Sequence, residues 1–138
     1  MNKDQRGIGL ISTLLVFSLV SAFLAAVGLV LSQERARVRD SHRIVDMIRV
    51  QYAFETLYRE KASYTDAAAG CNEVGKTVAT CALSTYLPQI ANLRDPGRQS
   101  YRVELVPNDR DYAISFVLER GYDTLAAGKH FLSKNGIQ

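Results

Sequence analysis

The sequence has no Trp and only three Pro, two His and two Cys in 138 residues. Its most informative absence is local: from Gly7 to Gln33, 27 positions carry no Asp, Glu, Lys or Arg. His42 and His130 stand far apart with no His-rich or Cys-rich tract near them, so no metal site of ordinary ligand spacing can be drawn. A Cys-x-x-Cys redox motif is missing as well. The acids Asp95, Asp109, Asp111 and Asp123 occur in turn-type segments without the close run of oxygen ligands that calcium loops use. No spacing brings a Ser, His and acid together for nucleophilic catalysis. The chain therefore reads as a non-enzyme with no cofactor. Neither Pro nor Gly occurs from Leu29 to Ala69, so nothing there interrupts a helix. Internal repeats and low-complexity tracts are also lacking.

Within the uncharged stretch, the 24 residues from Ile8 to Leu31 contain only Ser, Thr and Gly as polar relief. As a helix they would extend about 36 Å, enough for a hydrocarbon core of about 30 Å. A cleaved secretory signal has a shorter apolar region and an Ala-x-Ala-like end, whereas "LVLSQERAR" follows here. The segment is expected to stay as a membrane anchor. A buried core helix is the bland alternative, but the rest of the chain is too small to cover such a rod on all sides. In the anchor, Ser18, Ala22 and Ala26 recur at four-residue spacing, as do Ser21 with Ala25 and Gly28 with Ser32. Small residues so placed allow helices to approach closely in lipid, although membrane helices carry such residues generally.

The net charge is a modest +3, but Arg35, Arg37, Arg39, Arg43 and Arg49 crowd one side of the apolar run. By the positive-inside rule alone, the C-terminal body would be cytoplasmic. Arg35, Arg37, Arg39 and Arg43 are also candidates for a nucleic-acid or protein-interface face. Glu34, Asp40 and Asp46 dilute this cluster and no aromatics interleave it, so a solvated face is the plainer reading.

Helical periodicity continues beyond the anchor. Ile44, Met47, Ile48, Tyr52, Phe54 and Tyr58 are expected on one broad arc, with Arg39, Asp46, Arg49 and Glu60 opposite. A single helix to about Ala62 is predicted, apolar all round in residues 8–33 and amphipathic in 34–62. A connecting region at 63–100 follows, with Gly70, Gly75, Pro88 and the Asp95–Pro96–Gly97 turn, and a short helix around Leu83 to Tyr86. In 101–138, "YRVELV" and "YAISFVLE" alternate as a hairpin with Tyr101, Val103, Leu105, Tyr112, Ile114, Phe116 and Leu118 on the apolar face. A third strand through His130 to Leu132 completes an antiparallel sheet. Stripe and sheet face suit each other, giving an α+β fold.

Cys71 and Cys81 lie in the connecting region, with nine residues between them. A structural disulfide is the expected reading, with free thiols the alternative. Such bonds persist in oxidising compartments, which places the body outside the cytoplasm, against the arginine count.

This organisation resembles the type IV pilin and type II secretion pseudopilin family, beginning at "RGIGLISTLL" (6–15). The resemblance implies that residues 1–7 are a short leader ending at Gly7, cut by a prepilin peptidase so that Ile8 becomes an N-methylated amino terminus. "LYREKASY" (57–64) looks like the family's end-of-helix stretch, and "YLPQIANLRDPGRQSYRVEL" (86–105) like its Tyr-Leu-Pro and Asp-Pro-Gly pattern leading into the sheet. The implied fold is a long helix on a small antiparallel sheet. Implied partners are other pilin or pseudopilin subunits, the peptidase and an inner-membrane assembly platform, with the head periplasmic or extracellular. Two features depart from the pattern. Ser12 stands where the family has Glu, which fits a minor subunit better than a main one, and the cysteines precede the sheet rather than tying the C-terminal region. The alternatives are a single-pass regulatory or scaffold protein with a basic juxtamembrane region, and a DNA-binding pilin for uptake.

Overall fold

The computed structural model traces the backbone from Asp4 and describes Gly9 and residues 11–138 in full. Gly7 and Ile8, the expected processing site, lie outside the fully described residues. One helix, α1 (Asp4–Lys61), is followed by 3-10 turns at Thr65–Ala68, Val78–Thr80 and Ile90–Asn92. Among the described residues four strands follow: β1 (Arg102–Leu105), β2 (Ala113–Tyr122), β3 (Leu125–Ser133) and β4 (Gly136–Ile137). The sheet is antiparallel and open, ordered β1-β2-β3-β4. The fold is α+β, with the second part of α1 packed on the sheet. The chain divides into two compact units, residues 1–35 and 36–138.

In the second unit, α1 buries Ala36, Asp40, Arg43, Ile44, Met47, Val50, Ala53, Phe54 and Leu57. Seven of these, Ala36, Asp40, Arg43, Met47, Val50, Phe54 and Leu57, follow alternating steps of four and three, which keep to one side of a helix, and Ile44 and Ala53 flank them. Ile44, Met47 and Phe54 are buried as expected, whereas Ile48, Tyr52 and Tyr58 are exposed. For Ile48 and Tyr52 the reason is angular: each step of four overshoots a full turn by about 40°, so the series 44–48–52 walks out of the core, whereas Tyr58 lies in the last turns of α1 and stacks on Tyr64. Val50, Ala53 and Leu57 take the places assigned to those residues.

The helix ends where Ala62 adopts a left-handed conformation (φ 55°) while its N–H donates to the Tyr58 carbonyl. Beyond it, Phe54 stacks on Tyr112 at 3.8 Å between ring centroids, and Tyr64 meets Tyr112 edge-on at 4.9 Å. Val103, Ile114, Phe116, Leu118 and Leu132 form the sheet's side of the core. Leu105, expected inside, is exposed because the register shifts between Val103 and Leu105 and turns it outward.

Two further differences have local causes. Residues 83–87 make one helical turn, closed by the Leu87 N–H on the Leu83 carbonyl, instead of a helix. β2 runs on to Tyr122 and returns directly as β3, giving a longer hairpin than expected. A register irregularity between Leu118 and Gly121 breaks the alternation there, so the strand looks finished in the sequence. Gly121 takes φ +100°, and a Cβ on it would come within 2.4 Å of the Leu125 carbonyl oxygen.

Candidate functional site

In the first unit, every described residue from Ile11 to Arg35 is exposed, including Leu14, Phe17, Leu24 and Leu31. This part of α1 is long and apolar enough to cross a membrane. So large an apolar surface marks a lipid or partner contact. Two of its hydroxyls bond within the helix: Thr13 donates to the Gly9 carbonyl and Ser32 to that of Leu29, both at 2.8 Å. Ser12 is exposed, as are Ser18, Ser21, Ala22, Ala25 and Ala26. A Cβ on Gly28 would meet nothing within 4 Å, so no contact inside this chain requires a glycine there.

The second unit contains a charge network that sequence reasoning missed. Arg43, 1% exposed, gathers three carboxylates. Its Nε and Nη2 donate to Asp95 at 2.5 and 2.9 Å, and its Nη1 reaches Asp40 at 2.7 Å and Glu119 at 2.8 Å. Asp40 in turn accepts the backbone N–H groups of Glu119, Arg120 and Gly121 at 2.8, 2.7 and 3.1 Å, holding the irregular part of β2. Asp95 accepts the Gly97 N–H at 2.7 Å across the Asp-Pro-Gly turn. Arg39 pairs with Glu119 through Nε and Nη2. Helix, connecting loop and strand are thus joined at one buried guanidinium.

The electrostatics follow from this geometry. Burial alone would raise the Asp40 carboxyl, but the three backbone donors and Arg43 hold it below its ordinary value. The Arg39 hydrogen bond, against some desolvation and with help from Arg43, lowers Glu119 to about 2. Arg43 is raised, first by its bonds to Asp95. Asp46 goes the other way: burial raises it, although the Tyr101 hydroxyl donates to it at 2.9 Å.

Of the four arginines expected on a basic face, Arg35 and Arg37 are exposed, Arg39 is half-buried against Glu119, and Arg43 is inside the network. Arg43 therefore leaves that face: three carboxylates around a guanidinium make burial tolerable in a way sequence order does not display. The i, i+3 spacing of Asp40 and Arg43 and the Asp-Pro-Gly turn were the available signals.

Cys71 and Cys81 form a disulfide. The loop it closes lies along the outer edge of β1, where Gly75 donates to Val103, Val103 to Lys76 and Val78 to Tyr101 at 2.7–3.0 Å. Three clefts open on this unit. One of about 530 Å³ lies over the Arg39–Glu119 pair and residues 96–99. One of about 280 Å³ is lined by residues between Thr77 and Tyr101. The third, about 400 Å³, lies between Asp46 and Arg49 of α1 and residues 87–94. Among the described residues no group of three or more His, Cys, Asp or Glu could hold a metal ion. His130 sits beside Phe116 with its ring nitrogens 2.8 and 3.2 Å from the Ala126 and Gln138 carbonyl oxygens, and His42 is exposed on α1. Compared with known proteins, the chain matches no family model, no curated protein and no solved structure.

Proposed function

We propose that this chain is a non-enzymatic structural subunit of a filament of the type IV pilin or type II secretion pseudopilin kind, in a minor position. In this reading, a prepilin peptidase cuts between Gly7 and Ile8, the apolar part of α1 holds the subunit in the inner membrane, and the α+β head faces the periplasm. An assembly platform then draws the subunit into contact with its neighbours.

The observation that carries the reading is that one helix has two characters. Its described residues up to Arg35 are wholly exposed and apolar over a membrane's width, and from Ala36 it supplies one wall of a folded core. The described apolar side chains of the first part are all exposed, which suits burial in lipid or against other helices. The disulfide favours an oxidising side for the head. With Ser12 in place of an acid, the chain has no carboxylate there to neutralise a neighbour's amino terminus, which suits a minor or terminal position.

The test is assembly. Cells producing the chain with and without an active prepilin peptidase are treated with a membrane-permeant cross-linker, and the chain's high-mass adducts are compared. Peptidase-dependent incorporation with other pilin-like subunits is expected. A chain that remains a monomer in both strains is a simple anchored protein instead.

A further inference from the structure

The outer side of α1 in the second unit carries an apolar ridge that the sheet does not cover. Val45 and Tyr52 are seven residues apart and 42% and 62% exposed. Arg49, between Val45 and Tyr52 in α1, also lines the 400 Å³ cleft, together with Arg94 of the connecting loop and Leu87, Pro88 and Leu93. The one acid lining it, Asp46, is largely buried and already engaged by the Tyr101 hydroxyl, with Arg49 3.8 Å away. Two arginines against one acid leave the cleft positive, and Arg94 has no carboxylate partner among the described residues.

We propose that the Val45–Tyr52 ridge and the Arg49–Arg94 cleft together dock an amphipathic helix of a different chain, with apolar residues on the ridge and an Asp or Glu side chain entering the cleft. Charge complementarity selects this occupant. A guanidinium pair offers a fork for a carboxylate, and an apolar stripe at seven-residue spacing fits the seam of a second helix. A second copy presenting the same face would bring arginine against arginine, and like charges brought together at an interface oppose association. This docking does not depend on cleavage at Gly7 or on the filament reading.

The experiment uses the full chain in detergent micelles and two fluorescent synthetic helices of identical Leu heptads, one flanked by Glu and the other by Lys. Anisotropy titrations are run at low and high salt. The Glu probe should bind at least about tenfold more tightly than the Lys probe, with the difference shrinking as salt rises. The charge-reversed variant Arg49→Glu/Arg94→Glu, checked for native fold by near-ultraviolet circular dichroism, should prefer the Lys probe. Val45→Asn, which removes the apolar contact without adding charge, should weaken both probes. Equal binding of the two probes, or no change of preference on charge reversal, overturns the proposal. So does efficient disulfide cross-linking of Val45→Cys to another copy of itself, which would make the face homotypic.

Discussion

Replacing Arg43 with Met removes the guanidinium on which Asp40, Asp95 and Glu119 converge. The cost can be worked from what remains. Asp95, whose side chain is fully buried, keeps the Gly97 N–H as its donor, and Asp40 keeps three backbone donors. Glu119 keeps Arg39 and reaches solvent. The damage therefore concentrates on Asp95, a buried carboxylate with its cation gone, and such a break costs about 3–5 kcal/mol. Against a domain stability of about 5–15 kcal/mol that is a large share. At about 4–8 °C per kcal/mol it should lower the unfolding midpoint by at least about 12 °C. Arg39→Met is the internal control: its pair is about one-third exposed and screened by solvent, so it should lower the midpoint far less than Arg43→Met. Arg43→Met/Asp95→Asn should recover part of the loss, because the stranded charge is gone. The assay is thermal unfolding of the full chain in detergent, followed by tyrosine near-ultraviolet circular dichroism. If Arg43→Met and Arg39→Met unfold together within about 1 kcal/mol of the parent, the network is not what joins helix, loop and strand.

Acid should weaken the same network. Asp40 and Glu119 are depressed in the folded state, so the unfolded chain takes up their protons first. Their contribution is complete at neutral pH, starts to fall near 4.5 and, for Glu119, is lost as pH drops through about 2. Unfolding midpoints taken across that range should fall, and Arg39→Met should flatten the Glu119 share. The double variant Cys71→Ala/Cys81→Ala opens an 11-residue loop and should cost on the order of 3 kcal/mol. Hydrogen exchange at the Val78 and Val103 amides, which pair across the edge of β1, should rise with it. Ala62→Gly should stabilise the head by roughly 1 kcal/mol, because the left-handed conformation that ends α1 strains alanine and not glycine. A loss of stability there would contradict that account of the helix end.

Elements set by local pattern could be read directly from the sequence. The uncharged run, the absence of Pro and Gly from Leu29 to Ala69, and the strict alternation of Tyr112, Ile114, Phe116 and Leu118 are local patterns, and helix and hairpin follow from them. The helix stripe was legible only in part, since Ile48 and Tyr52 satisfy a broad apolar arc but drift off the narrower buried one. The charge network was not legible, because Asp40, Asp95 and Glu119 meet Arg43 only after loop and strand have folded against α1. Sequence order showed five arginines after an apolar run. Packing shows that Arg43 is held by carboxylates from three elements and that Arg39 is half-buried against one of them. Arg94, far along the chain, joins Arg49 at a cleft that no sequence window contains.

The central claim is that one helix serves as both a processed lipid anchor and the spine of an oxidised head. Intact mass of the chain extracted from membranes of cells with an active prepilin peptidase addresses both halves. The account predicts a chain starting at Ile8, N-methylated, and two hydrogens lighter than its fully reduced form through the Cys71–Cys81 bond. A mass that retains residues 1–7 together with two free thiols contradicts it.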